Sequence, residues 1–514
     1  MANKEQDLAA SSAAANVQFG DVIDVQPPKL VSRLVPRNNK VLQSLFYVTA
    51  FIQAYQQGYD ASVMNGLNIL PSYTEYFTLT TASLSLNTAA LWVGGILSGF
   101  VSGQFCDWAG RKKTMFWSSI MCLIGAVIQG CAQNVGMFVA ARIIIGFGLG
   151  FAAVGCSTYL AEAVSVQSRA FILGFFWDAW WAGSLIAAGI TFCTKSLLTA
   201  WAWRAPSILQ GLPSLLCIAI LPFLPESPRW LIYQDRADEA LEVLAVTHGN
   251  GDASNQVVVV EYTENTETLR FEKVTGSVSP LEVLRTSGNR KRIILCLSVG
   301  IFSMTMGNNV VTYYLGTMLN VAGVTDFDTQ LIVNIVLSGW AFVSSLVGTA
   351  FMNSLGRRAL ALISTALGTI FLFLVGGFSA LYGDGTNISG SYATIAMIFL
   401  FLGAYSVGWT PLSMLYPAEV LNYSTRATGM AMFTFLSNGI GLMITFAFPY
   451  SFEAIGWKTY MINAAFNVLA FIFVWLLWVE TKGKSLEEMD EMMDGVKHAD
   501  VPNVMEVATG KISV

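Results

Sequence analysis

The chain has 514 residues, of which 54% are hydrophobic and only 12% charged, where an ordinary soluble domain carries roughly 25% charged residues. That deficit excludes a string of soluble domains, and the net charge of −5 sits mostly in polar loops and marks no cargo. The two histidines, His248 and His498, lie in polar segments, which excludes a histidine-based metal or proton-relay site inside a membrane.

Residues 1–40 are polar and include Pro27 and Pro28, so they read as a disordered tail and not as a cleaved leader. Apolar blocks follow, each near the roughly 20 residues that a helix needs to cross a bilayer. Twelve are counted, centred near Ala54, Gly95, Leu123, Gly148, Leu185, Leu215, Gly300, Leu337, Phe371, Phe401, Leu436 and Phe471. The expected fold is an all-α membrane protein of twelve transmembrane helices in two six-helix halves, 41–224 and 292–480. Between them, 225–291 is a polar linker with helical stretches around Asp238 to Ala245 and Pro280 to Leu284 and a flexible loop from Gly249 to Asn265. A tail, 481–514, closes the chain. The seven cysteines fall in or beside apolar blocks and read as small core residues, not as a disulfide or metal framework. No metal or cofactor is expected.

Assigning loops alternately puts 24 Lys and Arg on the side of the tails and 3 on the other, with Arg142 inside a block. This bias predicts cytoplasmic termini. Asn387-Ile-Ser389 then faces outside as a glycosylation sequon, whereas Asn422-Tyr-Ser424 faces inward.

Short motifs occur once in each half, which signals duplication. Gly110-Arg111-Lys112 returns as Gly356-Arg357-Arg358, and Glu162 followed seven residues on by Arg169 returns as Glu419 followed by Arg426. Glu226 and Glu480 end the sixth and twelfth blocks. Acidic and basic groups at helix ends suit a cytoplasmic gate that pairs when closed and separates when open. Asp107, Arg111, Glu162, Arg169, Glu226, Arg357, Glu419, Arg426 and Glu480 are its expected members.

A charge at mid-membrane costs from about 2.5 kcal/mol upward, so each has a reason to be there. Asp60 lies near the outer end of the first block and Arg142 near the outer start of the fourth, both roughly 9 to 12 Å deep at 1.5 Å per residue. They can pair, and an acid whose ion pair is broken by protonation suits proton coupling; a static salt bridge is the alternative. Asp178, in the middle of the fifth block, is a second protonatable group, a hydrogen-bond acceptor for cargo, or a packing residue. A neutral cargo with hydroxyls and apolar faces needs amides and aromatics in its site. Asn308, Asn309, Asn438 and Gln56, with Gln53 and Asn334 behind them, supply amides; Trp409, Tyr313, Tyr314 and Trp177 supply rings.

Gly58-Tyr59-Asp60, the Asp107 to Lys112 loop, Arg142 with Gly146, Gly148 and Gly150, Pro225-Glu-Ser-Pro-Arg-Trp-Leu231, Gly307-Asn308-Asn309 with Tyr313-Tyr314, Trp409-Thr-Pro411 and Glu480-Thr-Lys-Gly closely resemble the sugar porter family of the major facilitator superfamily, over roughly Val41 to Met489. The stretches Gly307 to Leu319, Tyr416 to Leu421 and Gly183 to Ala188 look most like its fungal lactose and cellodextrin permease branch. The resemblance implies the major facilitator fold, a monomer in the plasma membrane and a proton-coupled sugar symporter, with Asp60 as the coupling acid. Two departures fall on sugar contacts of that family: Ser303 and Met304 stand where a Gln pair is usual, and Trp177 stands where the fifth helix carries Gln or Asn. A facilitative carrier and a non-transporting sugar sensor share the scaffold. No nucleophile, metal or phosphate-binding constellation points to an enzyme.

Overall fold

The computed structural model describes residues 32–197, 199–275, 287–321, 324–382 and 387–484, together with Met489, Met492 and Met493. The greater part of each expected tail, and the stretch around Pro280 to Leu284, lie outside the described residues. The described residues contain helices and no strand. Spans 1 to 5 are the helices Asn39–Ile69, Thr81–Ala109, Arg111–Gly130, Val135–Ala163 and Val166–Thr194. Span 6 is built from Trp201–Leu209 and Leu212–Ile220, and span 7 from Ser287–Thr305 and Asn308–Val321. Spans 8 to 12 are Phe327–Leu355, Arg357–Tyr382, Ile388–Val420, Tyr423–Ile455 and Lys458–Leu477. Nine of the spans are apolar enough to cross a membrane by length and composition alone. Spans 1, 3 and 7 fall below that mark, and span 1 does so because it buries Gln53, Gln56, Gln57, Asp60 and Asn65.

Polar caps set the starts of several spans. Asn134 accepts from Met137 N at 2.8 Å, Asp326 from Thr329 N at 2.9 Å and Asn387 from Gly390 N at 3.1 Å, each satisfying one of a helix's orphan donors. Asn387, the expected sequon residue, is exposed while it makes this cap. The sharp joints from span 2 to 3 and from span 8 to 9 are made at Gly110 (φ 97°) and Gly356 (φ 90°). There a Cβ would lie 2.6 Å from a Glu226 oxygen and 2.5 Å from a Glu480 oxygen, so the duplicated joint needs glycine for conformation and for space.

The halves meet along two seams. On one, span 2 runs beside span 11 with glycines four residues apart. A Cβ on Gly95 would lie 2.1 Å from Asn438 Oδ1, one on Gly99 2.7 Å from Phe435 Cβ, and one on Gly103 3.0 Å from the Ala427 carbonyl. Such small-residue spacing lets helices approach closely in lipid. On the other, spans 5 and 8 run antiparallel and are laced by side chains. Thr349 Oγ1 donates to Asp178 Oδ2 at 2.5 Å, the Ser184 and Ser338 hydroxyls meet at 3.1 Å, and Lys195 Nζ reaches Asp328 Oδ1 at 2.5 Å.

The linker forms the helices Pro228–Tyr233, Ala237–His248 and Gln256–Thr275. The loop expected from Gly249 to Asn265 therefore gives way to helix at Gln256. Asn255 Oδ1 accepts from Val257 N at 3.0 Å to start it, and Val258, in the run of four valines 257–260, buries itself against Leu244 and Ala245. Burial pushes the Glu261 carboxyl up, and His248, Arg169 and Arg229 outweigh burial and hold it below the usual range. Its Oε2 lies 2.7 Å from His248 Nδ1.

Candidate functional site

A cavity of about 120 Å³ lies between the halves. Spans 1, 2, 4 and 5 supply one side and spans 7, 10 and 11 the other. Trp92, Trp177, Trp180 and Trp181 give it aromatic faces, and Gln57, Asn308, Asn309 and Asn438 give it amides. None of its described lining residues is charged. The Trp181 indole donates to Thr410 Oγ1 at 3.1 Å, joining the halves at the cavity wall.

The sequence expectations divide here. Trp177, Asn308, Asn309 and Asn438 line the cavity. Trp409 does not: it is fully buried, donates to Thr365 Oγ1 at 3.0 Å and packs edge-on against Phe302 and Trp478. Gln56 points to span 6, where Nε2 donates to Ser214 Oγ at 2.7 Å, and its neighbour Gln57 takes the cavity. Gln53 Nε2 turns to Cys217 Sγ at 2.9 Å, and Asn334 accepts from Asn65 at 3.0 Å. The side chain of Tyr313 lies outside the described ones. Tyr314 hydroxyl donates to the Thr445 carbonyl at 2.6 Å. Trp92, Trp180, Trp181 and Tyr405 were missed. For Trp180 and Trp181 a signal existed, since one helical turn carries Trp177 and Trp180 to a shared face.

Span 7 breaks beside the cavity at Gly307 (φ 97°). A helix end leaves its last four carbonyls without internal partners, and each of the four here accepts from a side chain. Tyr405 hydroxyl donates to Ser303 O at 2.9 Å, Asn309 Nδ2 to Met304 O at 3.1 Å, Asn463 Nδ2 to Thr305 O at 2.6 Å and Asn467 Nδ2 to Met306 O at 3.2 Å. Asn309 thus commits its amide nitrogen to the break, reaching Met304 Sδ at 3.4 Å as well. Asn438 Nδ2 likewise bonds back to Thr434 O at 2.6 Å.

Behind the cavity Asp60 and Arg142 are both fully buried, but the expected side-chain pair is not formed: Arg142 Nη1 donates to the Asp60 main-chain carbonyl at 2.6 Å, and among the described residues no hydrogen bond or ion pair joins the guanidinium to the carboxylate. Asp178 is also fully buried and faces span 8, away from the cavity.

On the linker-bearing face the duplicated motifs form duplicated bonds. Arg111 grips Glu162 through two nitrogens, at 2.9 and 3.1 Å, and Arg357 grips Glu419 at 3.2 and 2.7 Å; such paired bonds fix geometry as well as charge. Asp107 adds an oxygen 3.2 Å from Arg111 Nη1. Glu226 accepts from the backbone N–H of Arg111, Lys112 and Ser227 at 3.1, 3.1 and 3.0 Å, while burial pushes its carboxyl above the usual range. Glu480 repeats this with Arg357 N at 2.8 Å and Arg358 N at 3.1 Å. Arg426 of the second half reaches Glu162 of the first at 3.8 Å. Arg169 lies instead beside Glu261 of the linker.

Twelve spans in two halves with duplicated motifs, an uncharged cavity between them and charge-paired ends define a membrane transporter of the major facilitator kind, not an enzyme. The family model described as "Sugar (and other) transporter" matches residues 45–493, and the chain belongs to that family. It is 29% identical over 469 residues to the MFS glucose transporter mfs1 of Aspergillus flavus, covering 85% of this chain and 87% of that one. It is 28% identical over 470 residues to the high-affinity glucose transporter of Kluyveromyces lactis, covering 87% and 84%. Among solved structures, the proton:xylose symporter XylE bound to 6-bromo-6-deoxy-D-glucose matches with a TM-score of 0.78 at 21% identity, over 88% of this chain and 100% of that one.

Proposed function

We propose that the protein carries a neutral sugar, a mono- or disaccharide, in symport with protons, by alternating access of a site between its halves. The observation that carries this reading is the cavity lining: four tryptophans and four amides with no charge. Ring faces stack on tryptophan and hydroxyls bond to amides, while an anionic or cationic cargo would be left unpaired. Asn308, Asn309, Asn438, Gln57 and Trp177 are the proposed contacts. The names of the fungal relatives support a hexose, and the stretches Gly307 to Leu319 and Gly183 to Ala188 support the lactose and cellodextrin branch.

Proton coupling rests on Asp60. Its carboxyl is fully buried, with Arg142 bound to its main-chain carbonyl, so protonation exchanges a costly buried charge for a neutral acid, and cargo that favours one of these states drags the proton with it. Asp178 is a proposed second carrier. The face with the linker, the tails and the Arg111, Glu162, Arg357, Glu419 and Arg426 network is proposed to be cytoplasmic in the plasma membrane, in a monomer, with 225–291 as its cap and Asn387 on the outer side. Labelled lactose, cellobiose, glucose and xylose are to be compared for uptake with and without an uncoupler in a host lacking its own carriers. Asp60→Asn is expected to abolish uphill accumulation and keep exchange. Uptake that only equilibrates the sugar and is unmoved by the uncoupler and the substitution assigns facilitated transport, accumulation that survives both removes Asp60 and protons from the coupling, and binding without uptake assigns a sensor.

A further inference from the structure

A second cavity, of about 430 Å³, lies outside the cargo path, where the linker-side ends of spans 3 and 6 meet the linker. Lys112, Lys113 and Arg236 face it, with Phe116, Pro222 and Trp230 as its apolar wall. Two carboxylates, Glu226 and Glu239, also belong to its lining, but both are engaged. Glu226 is held by three backbone N–H groups, and Glu239 pairs with Arg236. Among the described residues Lys112 Nζ donates to a main-chain carbonyl, Leu224 O, at 2.7 Å, with Glu226 as a charged neighbour. Lys113 is exposed, and among the described residues no ion pair or hydrogen bond is recorded for it.

The internal duplication supplies a control. Arg111-Lys112-Lys113 returns in the second half as Arg357-Arg358-Ala359. Arg358 reproduces the role of Lys112 by donating to a span-12 carbonyl, that of Trp475. Ala359 shows that the joint forms without a third cation, so the joint itself does not account for Lys113.

Directly beyond the cations, spans 3 and 6 expose Phe116, Trp117, Leu216 and Phe223, an apolar strip of the kind that faces acyl chains. A cation cluster with its head at a membrane surface and apolar contacts leading inward is complementary to an anionic phospholipid: phosphate at Lys112 and Lys113, an acyl chain along the strip. We propose that this cavity is a binding site for the phosphate headgroup of an anionic phospholipid. The strip is the reason for choosing a lipid over a free phosphate ester. Because Glu226 forms part of the wall and also holds Arg111 N, the headgroup sits one residue from the charge network of the linker-bearing face.

The test uses the full chain in mixed micelles of neutral detergent and follows thermal unfolding, since a ligand that binds only the folded state raises the midpoint with concentration. Dioleoylphosphatidylglycerol is expected to raise it and dioleoylphosphatidylcholine to leave it unmoved. Each cation near an anionic surface is worth roughly a factor of five in affinity. Lys113→Ala should therefore weaken the apparent affinity about fivefold and Lys113→Ala with Lys112→Gln about 25-fold, while Lys113→Arg retains it. Ala359 at the duplicate position argues that Lys113→Ala folds, and the melting midpoint without lipid checks it. Equal response to both lipids, or an affinity for phosphatidylglycerol unchanged in the double variant, overturns the proposal. So does an equal rise with glycerol phosphate at the same concentration, which would assign the site to a soluble phosphate ester.

Discussion

The two seams between the halves achieve the same end by opposite means. Along spans 2 and 11 the contact is made by what is missing, with Gly95, Gly99 and Gly103 leaving room for side chains and backbone of the partner. Along spans 5 and 8 it is made by what is present: Asp178 with Thr349, Ser184 with Ser338, Lys195 with Asp328. Packing of the first kind rests on fit and tolerates sliding, with the bond from Trp92 Nε1 to Thr445 Oγ1 at 3.0 Å as a directional contact on that seam. The second kind is directional, so each bond is either made or broken. A transporter that rocks its halves can therefore slide on one seam and count states on the other.

Four substitutions bear on that contrast. The largest effect is expected where the linker-side end of the glycine seam is closed by charge. Glu162→Gln leaves Arg111 and Arg426 buried with their shared carboxylate gone, which should cost about 3–5 kcal/mol and appear as a lowered melting midpoint in detergent. Gly99→Val comes next, since its side chain has to displace Phe435. Overpacking of about 1–3 kcal/mol should lower both stability and uptake, and an unchanged variant would show that the glycine seam is not tight. Thr349→Val removes one hydroxyl donor to Asp178, leaving Ser345 as the other, and should cost about 1–3 kcal/mol, read as a shift in the melting midpoint that disappears in the Asp178→Leu background. The smallest effect belongs to Ser184→Ala, for which a double-mutant cycle with Ser338→Ala should give a coupling near 0.6 kcal/mol. A coupling as large as the Gly99→Val effect would erase the distinction between the seams.

The linker-side network was legible in the sequence because duplication writes each part twice, and Arg111 with Glu162 could be checked against Arg357 with Glu419. The apolar blocks were legible for the same reason that membranes accept only helices and closed barrels: a spanning segment must be long, apolar and self-satisfied. The site was legible in composition and less so in detail. Residue type does not say which way a side chain turns, so Gln56 and Trp409 were read as cargo contacts where Gln57 and Trp180 line the cavity. Nor does it say what an amide is already bonded to, as with Asn309 and Asn438. The partner of Asp178 lies 171 residues away, on a helix whose facing residues carry no local mark.

The break in span 7 has a consequence for energy conversion. A gap in a membrane helix usually invites water to its bare carbonyls, and a file of water is a wire for protons. Here Tyr405, Asn309, Asn463 and Asn467 cover all four carbonyls from within one half. The break is thus satisfied by side chains of its own half, and under the proposed proton coupling its carbonyls offer protons no path of their own.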